Sequence, residues 1–233
     1  MIPLMHDLKG KKVVIFGGGD VGLRKARYFL EECRVTVISM DFCEGFSDSD
    51  GNRGACESET EGKSNCGTDS GCDGDCGLTL IKADLSAVTD EELTRHIADC
   101  TVCVAATSDI ALNNRIRSIC MNRGLMFDNA AGEPGNITVP SVVKGRNYKI
   151  AISTGGKSPA TSRYMRRYFE KTAPQFDDII ELQCELRDLL KSTVESRSER
   201  KRIIEATLED EKVLRELKLG RDHAMEYIRK VYL

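Results

Sequence analysis

Long apolar runs are missing from this sequence. None of about eighteen residues occurs, which excludes a membrane-spanning helix. The opening stretch MIPLMHDLKGKK lacks the apolar segment of a signal peptide, so a cytoplasmic protein is expected. Aromatic side chains are scarce, at 6%. They nowhere interleave with basic residues and no helix-turn-helix pattern occurs, so nucleic acid is not an expected partner. Paired thiols are scarce too, although the chain holds 10 cysteines. In the cysteine-rich stretch the closest pair is Cys72 and Cys76, a C-x-x-x-C that no second pair completes into a zinc or iron–sulfur set. Cys100 and Cys103 do spell C-x-x-C. On a strand, however, residues three apart point to opposite faces, so no metal or redox pair is expected there.

The charge that is present is unevenly spread. Residues 41–77 hold ten Asp or Glu against Arg53 and Lys63, a local net of −8, leaving +5 on the rest of the chain. A positive body suits an anionic ligand. The segment 43–77 is rich in Gly, Ser, Asp and Glu and nearly devoid of aliphatic residues. Such a composition buries too little apolar surface to offset its ordering entropy, so it reads as a disordered or ligand-ordered insertion.

The stretch from Val13 to Leu30, VVIFGGGDVGLRKARYFL, organises the remainder. It reads as a buried strand, a glycine turn and an amphipathic helix. Gly17, Gly19 and Gly22 have G-x-G-x-x-G spacing: a tight turn, room for a pyrophosphate beside the backbone, and close packing of helix on strand. The helix start offers free N–H groups to phosphate. Arg24 and Lys25 in that first turn are either solvated or beside the phosphate. A second strand, 34–40, ends at Asp41, where a carboxylate can take ribose hydroxyls. After the insertion a strand leads from Leu78 to Asp84, and Thr89–Glu92 caps a helix to Ala98. The strand 101–106 opens into AATSD, a helix spans 110–122, and a strand spans 125–129. Ala105, Thr107 and Asn129 thereby fall at the sheet edge where a cofactor would lie. His96 and His223 are expected at the surface. From Pro174 onward the chain is charged and helical, with Ile179, Ile180, Leu182, Leu186, Leu189 and Leu190 on one stripe.

Four segments in this order, GGGDVGLRKA, AATSD, NAAGEPGNITVPS and ISTGGKSPATSR, resemble the dehydrogenase module of siroheme synthases. That is the precorrin-2 dehydrogenase family, some of whose members are also sirohydrochlorin ferrochelatases. The likeness runs from about residue 8 to 195 around the insertion, and with no methyltransferase domain following it is to the stand-alone form. The fold it implies is α/β: a Rossmann-like parallel-sheet domain, a dimerisation segment and a small all-helical C-terminal domain. The corresponding spans are 1–139, 140–170 and 171–233. The resemblance also implies NAD as cofactor, touched by Asp20, Val21, Met40 and Asp41, and precorrin-2 as substrate. It implies a homodimer in which ISTGGKSP lines a tetrapyrrole cleft between subunits.

Precorrin-2 is polyanionic, so Lys157, Ser158, Arg163, Arg166 and Arg167 form a candidate substrate set, with hydroxyls from Ser153, Thr154 and Ser162. The family's general base is an aspartate in N-x-x-D-x-P, a position held here by Gly132. Glu133 is the adjacent substitute, though water can take the proton from so reactive a macrocycle. Dehydrogenation is therefore expected to survive Glu133→Ala. Two other readings stay open: a bifunctional dehydrogenase–ferrochelatase, and a non-catalytic NAD-sensing Rossmann module.

Overall fold

The structure is a computed structural model that describes residues 2–46 and 77–233, and the backbone of Ala55–Glu57. By their contacts the residues divide into two compact units, 2–139 and 140–233.

The first unit is a six-stranded, all-parallel sheet in the order β3-β4-β2-β1-β5-β6. Its strands are β1 (Lys12–Gly18), β2 (Arg34–Phe42), β3 (Ala55–Glu57), β4 (Gly77–Lys82), β5 (Val102–Ala105) and β6 (Met126–Asn129). Helices α1 (Asp20–Phe29), α2 (Asp90–His96) and α3 (Ile110–Asn122) cover it. Both faces of β1 are buried, which is why its sequence is an unbroken apolar run rather than an alternation. Val13 and Ile15 pack with Ala26 and Phe29 of α1, whereas Val14 and Phe16 pack with Leu93 of α2 and Leu112, Ile116 and Cys120 of α3. Fully burying each such side chain is worth roughly 1.5–3 kcal/mol, so the central strand anchors two layers at once.

One local expectation holds at the level of single residues. Thr89 and Glu92 form a reciprocal capping box, Thr89 Oγ1 accepting from Glu92 N–H at 3.2 Å and Glu92 Oε2 from Thr89 N–H at 2.8 Å. α2 nevertheless stops at His96 rather than Ala98. β2 runs two residues beyond Met40, because an irregularity between Phe16 and Gly18 lets Gly18 pair with Phe42.

The disordered reading of 43–77 falls mostly outside the described residues. Its first residues are ordered: Glu44–Phe46 form a 3-10 turn and Phe46 is buried against the α1 face of the sheet. Ala55–Glu57 pair with β4.

The second unit begins with an antiparallel hairpin, β7 (Ser141–Lys144) and β8 (Lys149–Ile152). Five helices follow: α4 (Pro159–Thr172), α5 (Gln175–Thr193), α6 (Arg197–Glu209), α7 (Glu211–Leu219) and α8 (Arg221–Tyr232). Leu182, Leu186 and Leu190, spaced four apart on α5, meet Ile203, Val213, Met225 and Ile228 in one core. The hairpin turn is held by the buried Asp177, whose carboxylate accepts from Arg146 N–H at 3.0 Å and Asn147 N–H at 2.7 Å. Among the described residues no helix is long and apolar enough to cross a membrane.

Candidate functional site

The order of strands reverses between β1 and β5, and ligands of open α/β sheets bind at the carboxyl end of such a switch point. The glycine turn lies there. Gly17 has a positive φ of 112°, and a Cβ on it would meet the Ala106 carbonyl oxygen at 2.4 Å. A Cβ on Gly22 would meet the Gly17 carbonyl oxygen at 1.9 Å, so helix, turn and the loop after β5 are in direct backbone contact. Gly19 is the opposite case: it is exposed, and nothing lies within 4 Å of where its Cβ would be.

Gly19 is also the N-cap of α1, with no side-chain cap. The first N–H groups of a helix have no partner within it, so Asp20 and Val21 present theirs at this open edge. The neighbouring helices behave differently. Thr89 caps α2, and Asp109 caps α3 by accepting from Ala111 N–H at 2.8 Å and Leu112 N–H at 3.1 Å. An uncapped helix start beneath open space fits the pyrophosphate of a dinucleotide. Asp41 and Met40 are exposed near the end of β2, on the side of β1 away from β5. The carboxylate suits ribose hydroxyls.

On the other side of β1 the anticipated residues are largely occupied. Ala105 is fully buried and its carbonyl accepts from Ala130 N–H at 2.9 Å, so its neighbours Ala106 and Thr107 reach the edge instead. Thr107 is bonded to Asn113, with Oγ1 2.7 Å from Asn113 Oδ1. Asn129 donates to the Glu133 carbonyl at 2.7 Å and accepts from Ala131 N–H at 3.3 Å, shaping its own loop. Gly132 has φ 115°, and a Cβ there would meet Asn114 Oδ1 at 2.4 Å. An aspartate at 132 would need a different loop. Glu133 is exposed, and its carboxylate pairs with Arg117 at 3.2 Å. Arg117 is itself fixed by the Pro134 carbonyl at 2.8 Å.

Three features escaped the sequence or contradict it. Lys25 is neither solvated nor at the turn: its Nζ lies 2.6 Å from Asp128 Oδ2, with the side chains only 14% and 7% exposed. The contact is off the hydrogen-bonding angle, since that oxygen has no hydrogen-bond partner. Cys100 and Cys103 do not diverge, because β5 begins only at Val102 and the alternation does not reach back to Cys100. Both join Cys120 in one core. Burial pushes the Cys100 thiol up to about 12 and raises Cys103 well above the usual thiol range. These are packing groups rather than nucleophiles. Among the described residues no three His, Cys, Asp or Glu gather as a metal site. His96 is half-buried rather than at the surface, edge-on to Phe16 with ring centres 6.4 Å apart.

The second group of candidates lies in the other unit, at the start of α4. Ser158 is the N-cap, accepting from Thr161 N–H at 3.2 Å, with Pro159 in the first turn. Thr154 Oγ1 accepts from Ser158 N–H at 3.1 Å and lies 3.2 Å from Ser162 Oγ. Ser153 Oγ accepts from Gly155 N–H at 3.1 Å and keeps its own proton to donate. These hydroxyls shape the turn. Arg166 pairs with Glu170 at 2.9 Å, while Lys157, Arg163 and Arg167 are exposed, the two arginines four residues apart on one face. α4 has no buried residue, and Tyr164 and Tyr168 are 70% and 54% exposed.

Residues 4–141 match a family model described as NAD(P)-binding. The chain is 36% identical over 213 residues to a precorrin-2 dehydrogenase of Methanosarcina barkeri, covering 91% of this chain and 84% of that one. It is 27% identical over 220 residues to a siroheme synthase of Escherichia coli, covering 93% of this chain and 41% of that longer protein. The solved structure of SirC, a precorrin-2 dehydrogenase, superposes with a TM-score of 0.64 at 20% identity, covering 99% of this chain and 100% of that one. At that identity the likeness concerns the fold.

Proposed function

We propose, since this chain belongs to the precorrin-2 dehydrogenase family, that it oxidises precorrin-2 to sirohydrochlorin with NAD, a step toward siroheme. The observation that carries the reading is the uncapped start of α1 under open space at the strand switch point. The N–H groups of Asp20 and Val21 hold the pyrophosphate, Gly19 leaves it room, and Gly17 and Gly22 let the turn, α1 and the loop after β5 close together beside it. Asp41 takes the ribose hydroxyls, and a carboxylate there repels the extra phosphate of NADP, favouring NAD. Met40 flanks the same position. NAD supplies, when bound, the acceptor for a hydride leaving the macrocycle.

The protein's own part is binding and alignment. Lys157, Arg163 and Arg167 take substrate carboxylates, and Ser153 adds a hydroxyl donor. Thr154, Ser158 and Ser162 hold the turn that presents them, and Arg166 is kept in place by Glu170. The proton released goes to water, because Glu133 is held by Arg117 and position 132 carries no side chain. That arrangement favours dehydrogenation without iron insertion. The chain works in the cytoplasm as a homodimer, and the pairing is supported by an α4 with no buried residue and two exposed tyrosines.

The purified chain mixed anaerobically with precorrin-2 and NAD is expected to give the sirohydrochlorin spectrum. Precorrin-2 persisting unchanged in the presence of bound NAD would overturn the substrate.

A further inference from the structure

We infer that Asn113 is a positioning residue for the nicotinamide end of the bound dinucleotide, acting through Thr107 and Ala131; the inference rests on the dehydrogenase reading above. Asn113 is completely buried at the start of α3. A side-chain amide offers two donors and two acceptor lone pairs, and here all four are used. Nδ2 donates to the Thr107 carbonyl at 3.0 Å and to the Ala131 carbonyl at 3.2 Å. Oδ1 accepts from Thr107 N–H at 3.3 Å and lies 2.7 Å from the Thr107 hydroxyl. The main-chain N–H of Thr107 can only donate, so the amide has one possible orientation.

The two loops joined this way follow β5 and β6, the strands on one side of the switch point. The loop after β5 is also the one pressed on the glycine turn, with Thr107 N 3.0 Å from the Cβ that Gly17 lacks. Asp41 lies on the opposite side, along β2. A dinucleotide whose adenosine ribose meets Asp41 and whose pyrophosphate crosses α1 therefore lays its nicotinamide end against the β5 and β6 loops. Asn113 sets the spacing of that wall, whereas the turn that grips the phosphates is built without it. Asn114 supports the same wall farther out, its Oδ1 accepting from Glu133 N–H at 2.8 Å.

The test compares NADH with ADP, which has the pyrophosphate but no nicotinamide, by titration of the purified chain and of Asn113→Leu. Asn113→Leu is expected to bind ADP within about twofold of the original chain and NADH about tenfold more weakly. Its kcat with precorrin-2 should fall about a hundredfold with KM little changed, as misplacement of reacting groups requires. If Asn113→Leu does not fold, Thr107→Val removes the hydroxyl that meets Asn113 and the Asp109 main chain but keeps the Thr107 N–H and carbonyl bonds to Asn113, and should shift the NADH-to-ADP ratio the same way by at least about threefold, the worth of one neutral hydrogen bond. An unchanged ratio in the folded variant, or equal losses for both ligands, overturns the positioning role. The original chain separates this from the parent reading. Intact NADH binding without turnover of precorrin-2 removes the proposed substrate alone, whereas normal turnover with an unchanged ratio in the variants removes the role of Asn113 alone.

Discussion

The starts of α1 and α4 both follow a glycine-containing turn and both carry basic residues, yet they are built for different tasks. α1 opens on Gly19 without a side-chain cap and is tied down deeper along its length, by Ala26 and Phe29 in the core and by Lys25 on Asp128. α4 opens on Ser158, which caps it, and buries nothing. In the first, the backbone N–H groups are left open at the sheet edge. In the second, the backbone serves itself and the exposed positive charge is carried by side chains. The contrast teaches that a helix start stays open to an anion only when the sequence withholds its cap, and that where the cap is supplied any anion contact is left to side chains such as arginine.

The largest break in that contrast is expected at Lys25. Lys25→Met leaves Asp128 charged and buried, which should cost about 3–5 kcal/mol in urea unfolding. Lys25→Met combined with Asp128→Leu should recover most of it. Equal losses for the single and the double variant would show that the pair is not the anchor.

Gly19→Ala comes next. With nothing within 4 Å to meet, the cofactor-free melting temperature should stay unchanged. NAD affinity, measured by titration calorimetry, should fall about ten- to a hundredfold as a charge-assisted contact is lost. On α4 the signs reverse. Arg163→Gln with Arg167→Gln should raise KM for precorrin-2 about tenfold and leave NAD affinity alone, since only carboxylate forks are removed.

Two smaller effects sharpen the edges. Glu133→Ala should retain dehydrogenation within about threefold, since a side chain already held by Arg117 contributes less than one neutral hydrogen bond to the reaction. His96, desolvated beside Phe16 and facing Arg95 and Lys12 against Glu92, has its imidazole held below the ordinary value. The neutral form is thus the one the fold prefers. Its stabilisation is present above the unfolded value of about 6.5 and lost as pH falls through the lowered folded one. Melting temperature should decline on acidification below neutrality, and His96→Phe should flatten that decline slightly.

How much of this was legible beforehand depended on distance along the chain. The glycine turn and the Thr89–Glu92 cap were readable because each is a contract between neighbours, enforced by local backbone geometry. Lys25–Asp128 was not, because a lysine in a first helical turn looks solvated until a distant strand brings it a buried carboxylate. The faces of Cys100 and Cys103 were misjudged because alternation applies only where the strand exists, and it starts two residues after Cys100. Asn129, Thr154 and Ser158 were readable as polar residues near an edge. That their hydrogen bonds serve the loops themselves could be seen only once those loops were closed. Asn113 gave no signal at all: asparagine near a helix start is ordinary, and its four bonds exist only in three dimensions.

The most direct measurement follows NADH and the macrocycle together in one anaerobic reaction of the purified chain with precorrin-2 and NAD. The account predicts that NADH and sirohydrochlorin appear in step and in equal amounts, and that neither forms when NAD is left out. Sirohydrochlorin forming at the same rate without NAD, or NADH failing to accompany it, would contradict it.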